Sequence, residues 1–181
     1  MPEKKDLKAI LVAGGEGSRL NPFTKYTHKT LLPLFDRPVI DYALATIRRA
    51  GVKDITIIDD TYNANLTSSL AALDYLSAFS GNGRKIFVFG DMYELGPTTD
   101  KQHQKVGERC LELNLDGVFT IGEHTKHTNS IINNGMMSKH FMNKKDLIDS
   151  LQKIIESGDK VLFKGSRGME MDKVIEGVFY T

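Results

Sequence analysis

The stretch that decides the fold is Ile86-Phe87-Val88-Phe89-Gly90, with the loop Asp91 to Gly96 behind it, the run Lys101 to Leu113, and then Val118-Phe119-Thr120-Ile121-Gly122. Two short apolar runs, each closed by glycine, bracket one segment with apolar residues at helical spacing. An unbroken apolar run of four or five residues reads as a strand buried on both faces. A helical segment between two such strands implies a right-handed crossover and a parallel sheet.

The same unit repeats in both directions. Upstream, Ala9 to Ala13 reads as a strand ending in Gly14-Gly15, Pro38 to Ala50 as a helix stopped by Gly51, Ile55 to Ile58 as a strand, and Thr67 to Phe79 as a helix with Leu70, Leu73 and Leu76 on one face. Downstream, Glu123 to Asn133 reads as a helix, Lys144 to Glu156 as a helix stopped by Ser157-Gly158, Val161 to Phe163 as a strand, and Met169 to Val178 as the last helix. The expectation is one three-layer α/β/α domain over 1–181, Rossmann-like and doubly wound, with about six mostly parallel strands. In such sheets ligands bind where loops leave the carboxyl ends of the strands. Those loops are Gly14 to Lys29, Asp59 to Asn65, Gly90 to Gly96, Gly122 to His127 and Lys164 to Gly168.

Composition narrows the partners. A net charge of +1 over 181 residues gives no bulk attraction to nucleic acid. No apolar stretch reaches membrane-spanning length, and the charged start Met1 to Lys8 does not read as a signal peptide. The lone cysteine, Cys110, cannot form an internal disulfide, which fits a reducing cytoplasm. No G-x-x-x-x-G-K-[ST] loop is present; Gly81-Asn82-Gly83-Arg84-Lys85 has the wrong spacing and reads as a helix–strand turn.

The first loop, Gly14-Gly15-Glu16-Gly17-Ser18-Arg19, suits a phosphate cradle. Its glycines let backbone N–H groups approach an anion, and Arg19 and Lys29 add charge. The competing reading is a Gly-rich turn with solvated bases. The longer string Leu11 to Pro22, with Lys29 and Leu31-Leu32-Pro33, resembles the sugar-1-phosphate nucleotidyltransferases, the family of glucose-1-phosphate thymidylyltransferase, over about residues 8–58. That resemblance implies nucleoside triphosphate or phosphate binding by Gly14, Gly15, Gly17, Ser18, Arg19 and Lys29, with Arg19 and Lys29 as vestigial catalytic candidates. Ser18 stands where the family has Thr, and His28 where it has Pro. The family's metal-binding aspartates have no counterpart after Ile58.

From Asp59 to the end the chain resembles a second family. Asp59-Asp60-Thr61-Tyr62-Asn63-Ala64-Asn65, then Gly90-Asp91-Met92-Tyr93-Glu94-Leu95-Gly96 with His103 and Val106-Gly107, then Lys164-Gly165-Ser166-Arg167-Gly168-Met169, are similar to the third domain of the Mur-type peptide ligases that add D-alanyl-D-alanine. This implies a nucleotide side at Asp60, Tyr62, Asn63 and Asn65 and a substrate or acyl-phosphate side at Lys164, Ser166 and Arg167. Read structurally instead, Asp59-Asp60 is a strand end and cap region, Lys164 to Gly168 a turn, and His103 a buried structural histidine.

Together these resemblances point to a chimera, natural or engineered, joined within a strand near Asp54 to Asp60. Its expected character is a domain without complete catalytic machinery that binds nucleotide weakly at the Gly-rich loop, with Mg²⁺ only if active. The alternatives are an enzyme fragment that needs its missing domains and a scaffold without ligand. Asp59, Asp60 and Asp91 are the strand-end carboxylates an enzyme reading would require. Parental surfaces left uncovered would favour a homodimer.

Overall fold

The computed structural model describes residues 33–34, 37–38, 56–132 and 135–179, the first two pairs by backbone alone. The expected strand at 9–13, the Gly-rich loop with Arg19 and Lys29, and the expected helix beyond Pro38 lie outside the described residues. Two short strands, β1 (Pro33–Leu34) and β2 (Arg37–Pro38), pair antiparallel with Pro33 opposite Pro38. Pro38 is therefore a strand residue, not the first residue of a helix; proline lacks a donor but tolerates an edge pairing.

Five further strands form one parallel sheet: β3 (Thr56–Asp60), β4 (Lys85–Gly90), β5 (Gly117–Ile121), β6 (Met137–Phe141) and β7 (Lys160–Lys164), in the order β3-β7-β4-β5-β6. Four helices connect them, α1 (Leu66–Ala78), α2 (Thr99–Glu112), α3 (Lys126–Ile131) and α4 (Lys144–Ile154), and α5 (Met171–Phe179) follows the last strand. The doubly wound α/β architecture expected from the apolar runs is thus present: four of the five strands read from sequence are found here, and the other, at 9–13, lies outside the described residues.

Alternation along the strands divides the core. Phe87, Phe89, Val118 and Leu162 face α1 and α2, packing on Leu73, Leu76, Val106 and Cys110. Ile86, Val88, Phe119, Val161 and Phe163 face α4 and α5, packing on Leu147, Leu151, Val174 and Ile175. Both faces are covered, which is why these strands carry apolar runs rather than alternating polarity. Cys110 is buried in the first of these cores, and burial pushes its thiol far above the ordinary range.

Two elements depart from the sequence reading. Strand β6 was not expected at all. It is an edge strand, its residues Ser138 and Lys139 are exposed, and it lacks the apolar run that marks the central strands. Helix α3 begins at Lys126, not Glu123, because the N–H groups of residues 123–125 bond a distant carboxylate instead of entering the helix. The turn expected at Gly81–Lys85 does join α1 to β4.

Candidate nucleotide- and substrate-facing rim

The connection leaving β4 runs to α2 on one face of the sheet, and the connection leaving β7 runs to α5 on the other. These neighbouring strands part their loops at the carboxyl rim, which is the position where open α/β sheets bind ligands. The loops of β3, β4, β5 and β7 bring Asp60 to Asn65, Asp91 to Leu95, Gly122 to Thr125 and Gly165 to Met169 to this rim.

Lys164, the last residue of β7, lies directly opposite Asp60, the last residue of β3. Its side chain is 1% exposed, and Nζ donates to Asp60 Oδ2 at 2.6 Å and to the Asn63 carbonyl at 2.9 Å. The structure therefore gives this lysine two protein acceptors. A buried ammonium requires such partners, and the pair locks β7 to the β3–α1 loop.

The other carboxylates proposed from sequence are also engaged. Asp59 Oδ1 accepts from the N–H and the hydroxyl of Thr61, at 3.1 and 2.7 Å, closing a local turn. Asp91 is buried and accepts three backbone N–H groups. Among the described residues no group of three His, Cys, Asp or Glu side chains is placed to hold a metal ion.

The amide side chains of the β3–α1 loop have local tasks. Asn63 Oδ1 accepts from the Ala64 N–H at 2.8 Å. Asn65 caps α1: its Oδ1 accepts from Ser68 N at 2.9 Å, and Ser68 Oγ accepts from Asn65 N at 3.2 Å, a reciprocal capping box. Tyr62 projects outward, 49% exposed, and the Arg167 guanidinium carbon sits 5.6 Å from its ring centre. This cation–π pair bridges the β3 and β7 loops at the surface and presents an aromatic face beside a positive charge. Ser166 is buried; its hydroxyl oxygen accepts from Tyr93 N at 2.8 Å.

Tyr93 was not singled out by sequence, although it stands in a strand-end loop. It is 43% exposed, its hydroxyl donates to Met169 Sδ at 2.7 Å, and burial, with the nearby Asp91 charge, raises its pKa. His103 takes its structural role: Nε2 accepts from Met92 N at 3.0 Å while Nδ1 lies 2.8 Å from the Thr99 carbonyl, which fixes the proton on Nδ1. Burial lowers its pKa, against smaller opposing effects of the Thr99 carbonyl and Asp91.

Comparison with known proteins identifies the family to which this sheet belongs. The family model "Mur ligase, glutamate ligase domain" matches residues 44–167. The UDP-N-acetylmuramoyl-tripeptide–D-alanyl-D-alanine ligase of Buchnera aphidicola subsp. Acyrthosiphon pisum is 37% identical over 150 residues, 82% of this chain and 31% of that protein. The crystal structure of MurF ligase from Thermotoga maritima in complex with ADP superposes with a TM-score of 0.60 at 26% identity, covering 77% of this chain and 36% of that one. A separate, shorter likeness is to the glucose-1-phosphate thymidylyltransferase of Xanthomonas campestris pv. campestris, 46% identical over 63 residues, 35% of this chain and 21% of that protein. The chain spans only about a third of the length of the ligases it matches. With a family match over most of its length and that family's sheet beneath it, the chain belongs to the Mur ligases, in the region of their glutamate ligase domain.

Proposed function

We propose that this chain is the C-terminal lobe of an ATP-dependent Mur-type ligase of the D-alanyl-D-alanine-adding kind, competent to bind nucleotide at its carboxyl rim but dependent on further domains for turnover. The observation that carries this is the Tyr62–Arg167 pair, an exposed aromatic face and guanidinium held over the buried Asp60–Lys164 bond. An aromatic face suits a purine, and a guanidinium suits phosphate or carboxylate. The ADP complex of the Thermotoga relative supports the nucleotide part of the reading. ATP fits these rim groups. Among the described residues Asp59, Asp60 and Asp91 are engaged in internal bonds and no group of side chains is placed to hold a divalent ion. Lys164 and Ser166 act beneath the ligand, holding the loop that presents Arg167.

The test adds the separately produced remaining domains of a related ligase to this chain. ATP-dependent phosphate release that requires both D-alanyl-D-alanine and this chain supports the reading. Release by the added domains alone, unchanged by this chain, removes it.

A second reading accompanies the first: the N-terminal segment derives from a nucleotidyltransferase, making the chain a fusion, and its Gly14 to Arg19 loop is a phosphate cradle in its own right. The 63-residue thymidylyltransferase likeness favours it. The ligase match begins at residue 44, upstream of the join expected near Asp54 to Asp60. Loss of phosphate or nucleotide binding in Arg19→Ala, with Arg167→Ala unaffected, would assign the site to that loop.

A further inference from the structure

We propose that Asp91 is a positioning residue that sets the Ser166–Arg167 loop and the β5–α3 turn in fixed relation to each other. The residue follows β4, midway along the sheet, and its carboxylate is directed into the neighbouring turn. Oδ2 accepts from Glu123 N at 2.8 Å, and Oδ1 accepts from His124 N at 3.0 Å and Thr125 N at 2.8 Å. Three successive N–H groups converge on one carboxylate because Gly122, at φ +124°, bends the chain around it. A Cβ at Gly122 would lie 2.4 Å from the Asp91 carboxyl carbon, so the approach requires glycine.

The same residue reaches the opposite way. Its backbone carbonyl accepts from Ser166 N at 3.0 Å, and the next two residues continue the pattern: Met92 N donates to His103 on α2, and Tyr93 N donates to the Ser166 hydroxyl. Residues 91–93 thus tie the β5 turn, α2 and the β7 loop to one short segment. Beneath that segment β4 and β7 touch closely: a Cβ on Gly165 would sit 3.2 Å from Gly90 Cα. With no slack there, rotation of the 91–93 segment moves Ser166 and with it Arg167. The charge of Asp91 holds the segment against such rotation, because releasing it leaves three inward N–H groups without an acceptor. The effect on ligand follows only if the nucleotide reading above holds; the coupling between loops stands without it.

The test is amide hydrogen exchange on the ¹⁵N-labelled full chain, without nucleotide, for wild type and Asp91→Asn. Asparagine keeps the shape and the backbone carbonyl but loses the charge and one acceptor oxygen. The expected result is at least a tenfold loss of protection at Glu123, His124 and Thr125, and also at Tyr93 and Ser166. Protection at Val88 and Leu162 in the strands should hold. Loss confined to residues 123–125 overturns the proposal, since Asp91 would then anchor only the turn it touches. Should Asp91→Asn not fold, Asp91→Glu keeps the charge and lengthens its arm. The Tyr93 and Ser166 amide resonances must then shift together with those of residues 123–125, and unmoved Ser166 and Tyr93 resonances overturn it equally. Because no nucleotide is present, a failed exchange result leaves the binding reading to its own assay.

Discussion

Lys164 and Asp60 show how a residue's type can be legible while its task is not. A lysine in a Gly-rich strand-end loop invites a role toward substrate, yet its partner is 104 residues away in sequence and becomes visible only through the β3–β7 register. Removing one member of a buried pair strands the other. Lys164 is the deeper of the two, at 1% exposure against 18% for Asp60. Asp60→Asn, which leaves the ammonium unpaired, should therefore cost more than Lys164→Met, which leaves a carboxylate that water can reach. We expect roughly 3 kcal/mol or more for the first and about 2 for the second in urea denaturation. Equal or reversed costs would contradict the burial asymmetry. His103 makes a prediction in pH. Its folded pKa lies below the unfolded value near 6.5, so the unfolded state takes up the proton more readily. Its contribution is complete above about pH 6.5 and is lost as pH falls below it. His140 is lowered by burial and adds to the loss with the same sign. Denaturation of His103→Gln between pH 7.5 and 5 should show a shallower decline than wild type, from a lower starting stability.

At the scale of elements, the strands with apolar runs were readable because a sheet covered on both faces demands them: Ile86 to Phe89, Val118 to Ile121 and Val161 to Phe163 are each buried throughout. The edge strand β6 escaped because one side of it meets water, so Met137-Ser138-Lys139-His140-Phe141 carries no such run. Helix α3 was read too long because the groups that delay its start bond Asp91, more than thirty residues upstream, a long-range choice that local periodicity does not encode. The rim loops were legible as loops. The local bonds of their side chains were not: Asn63 and Asn65 each accept from a backbone N–H of their own segment. That yields a prediction for α1: Asn65→Ala removes the half of the capping box made by the Asn65 side chain, leaves the Asn65 N–H on Ser68 Oγ, and should cost about 1 kcal/mol. Thermal denaturation checks this, and a change below a few tenths would mean that the cap is replaced by solvent. Arg84 offers an internal comparison at the opposite rim. Its guanidinium holds Asp159 through two bonds of 3.0 and 2.6 Å and also donates to the Ile154 carbonyl, closing the entry to β7.

For the whole molecule, the five described parallel strands and their helices are strand–helix units in series, the arrangement shared with the ligase relatives. The ligase likeness covers the described rim, its four loops and the parting of the chain between β4 and β7. The resemblance of Gly14 to Arg19 to the nucleotidyltransferases falls outside the described residues. The two readings place nucleotide at different residues, and a single titration separates them. Isothermal titration of ADP into the full chain, repeated with Arg167→Ala and with Arg19→Ala, tests the central claim directly. The account predicts binding that weakens about tenfold or more in Arg167→Ala and stays within about twofold in Arg19→Ala, a tenfold change being 1.4 kcal/mol. Binding that survives Arg167→Ala and is lost in Arg19→Ala would contradict it and move the nucleotide to the Gly-rich loop.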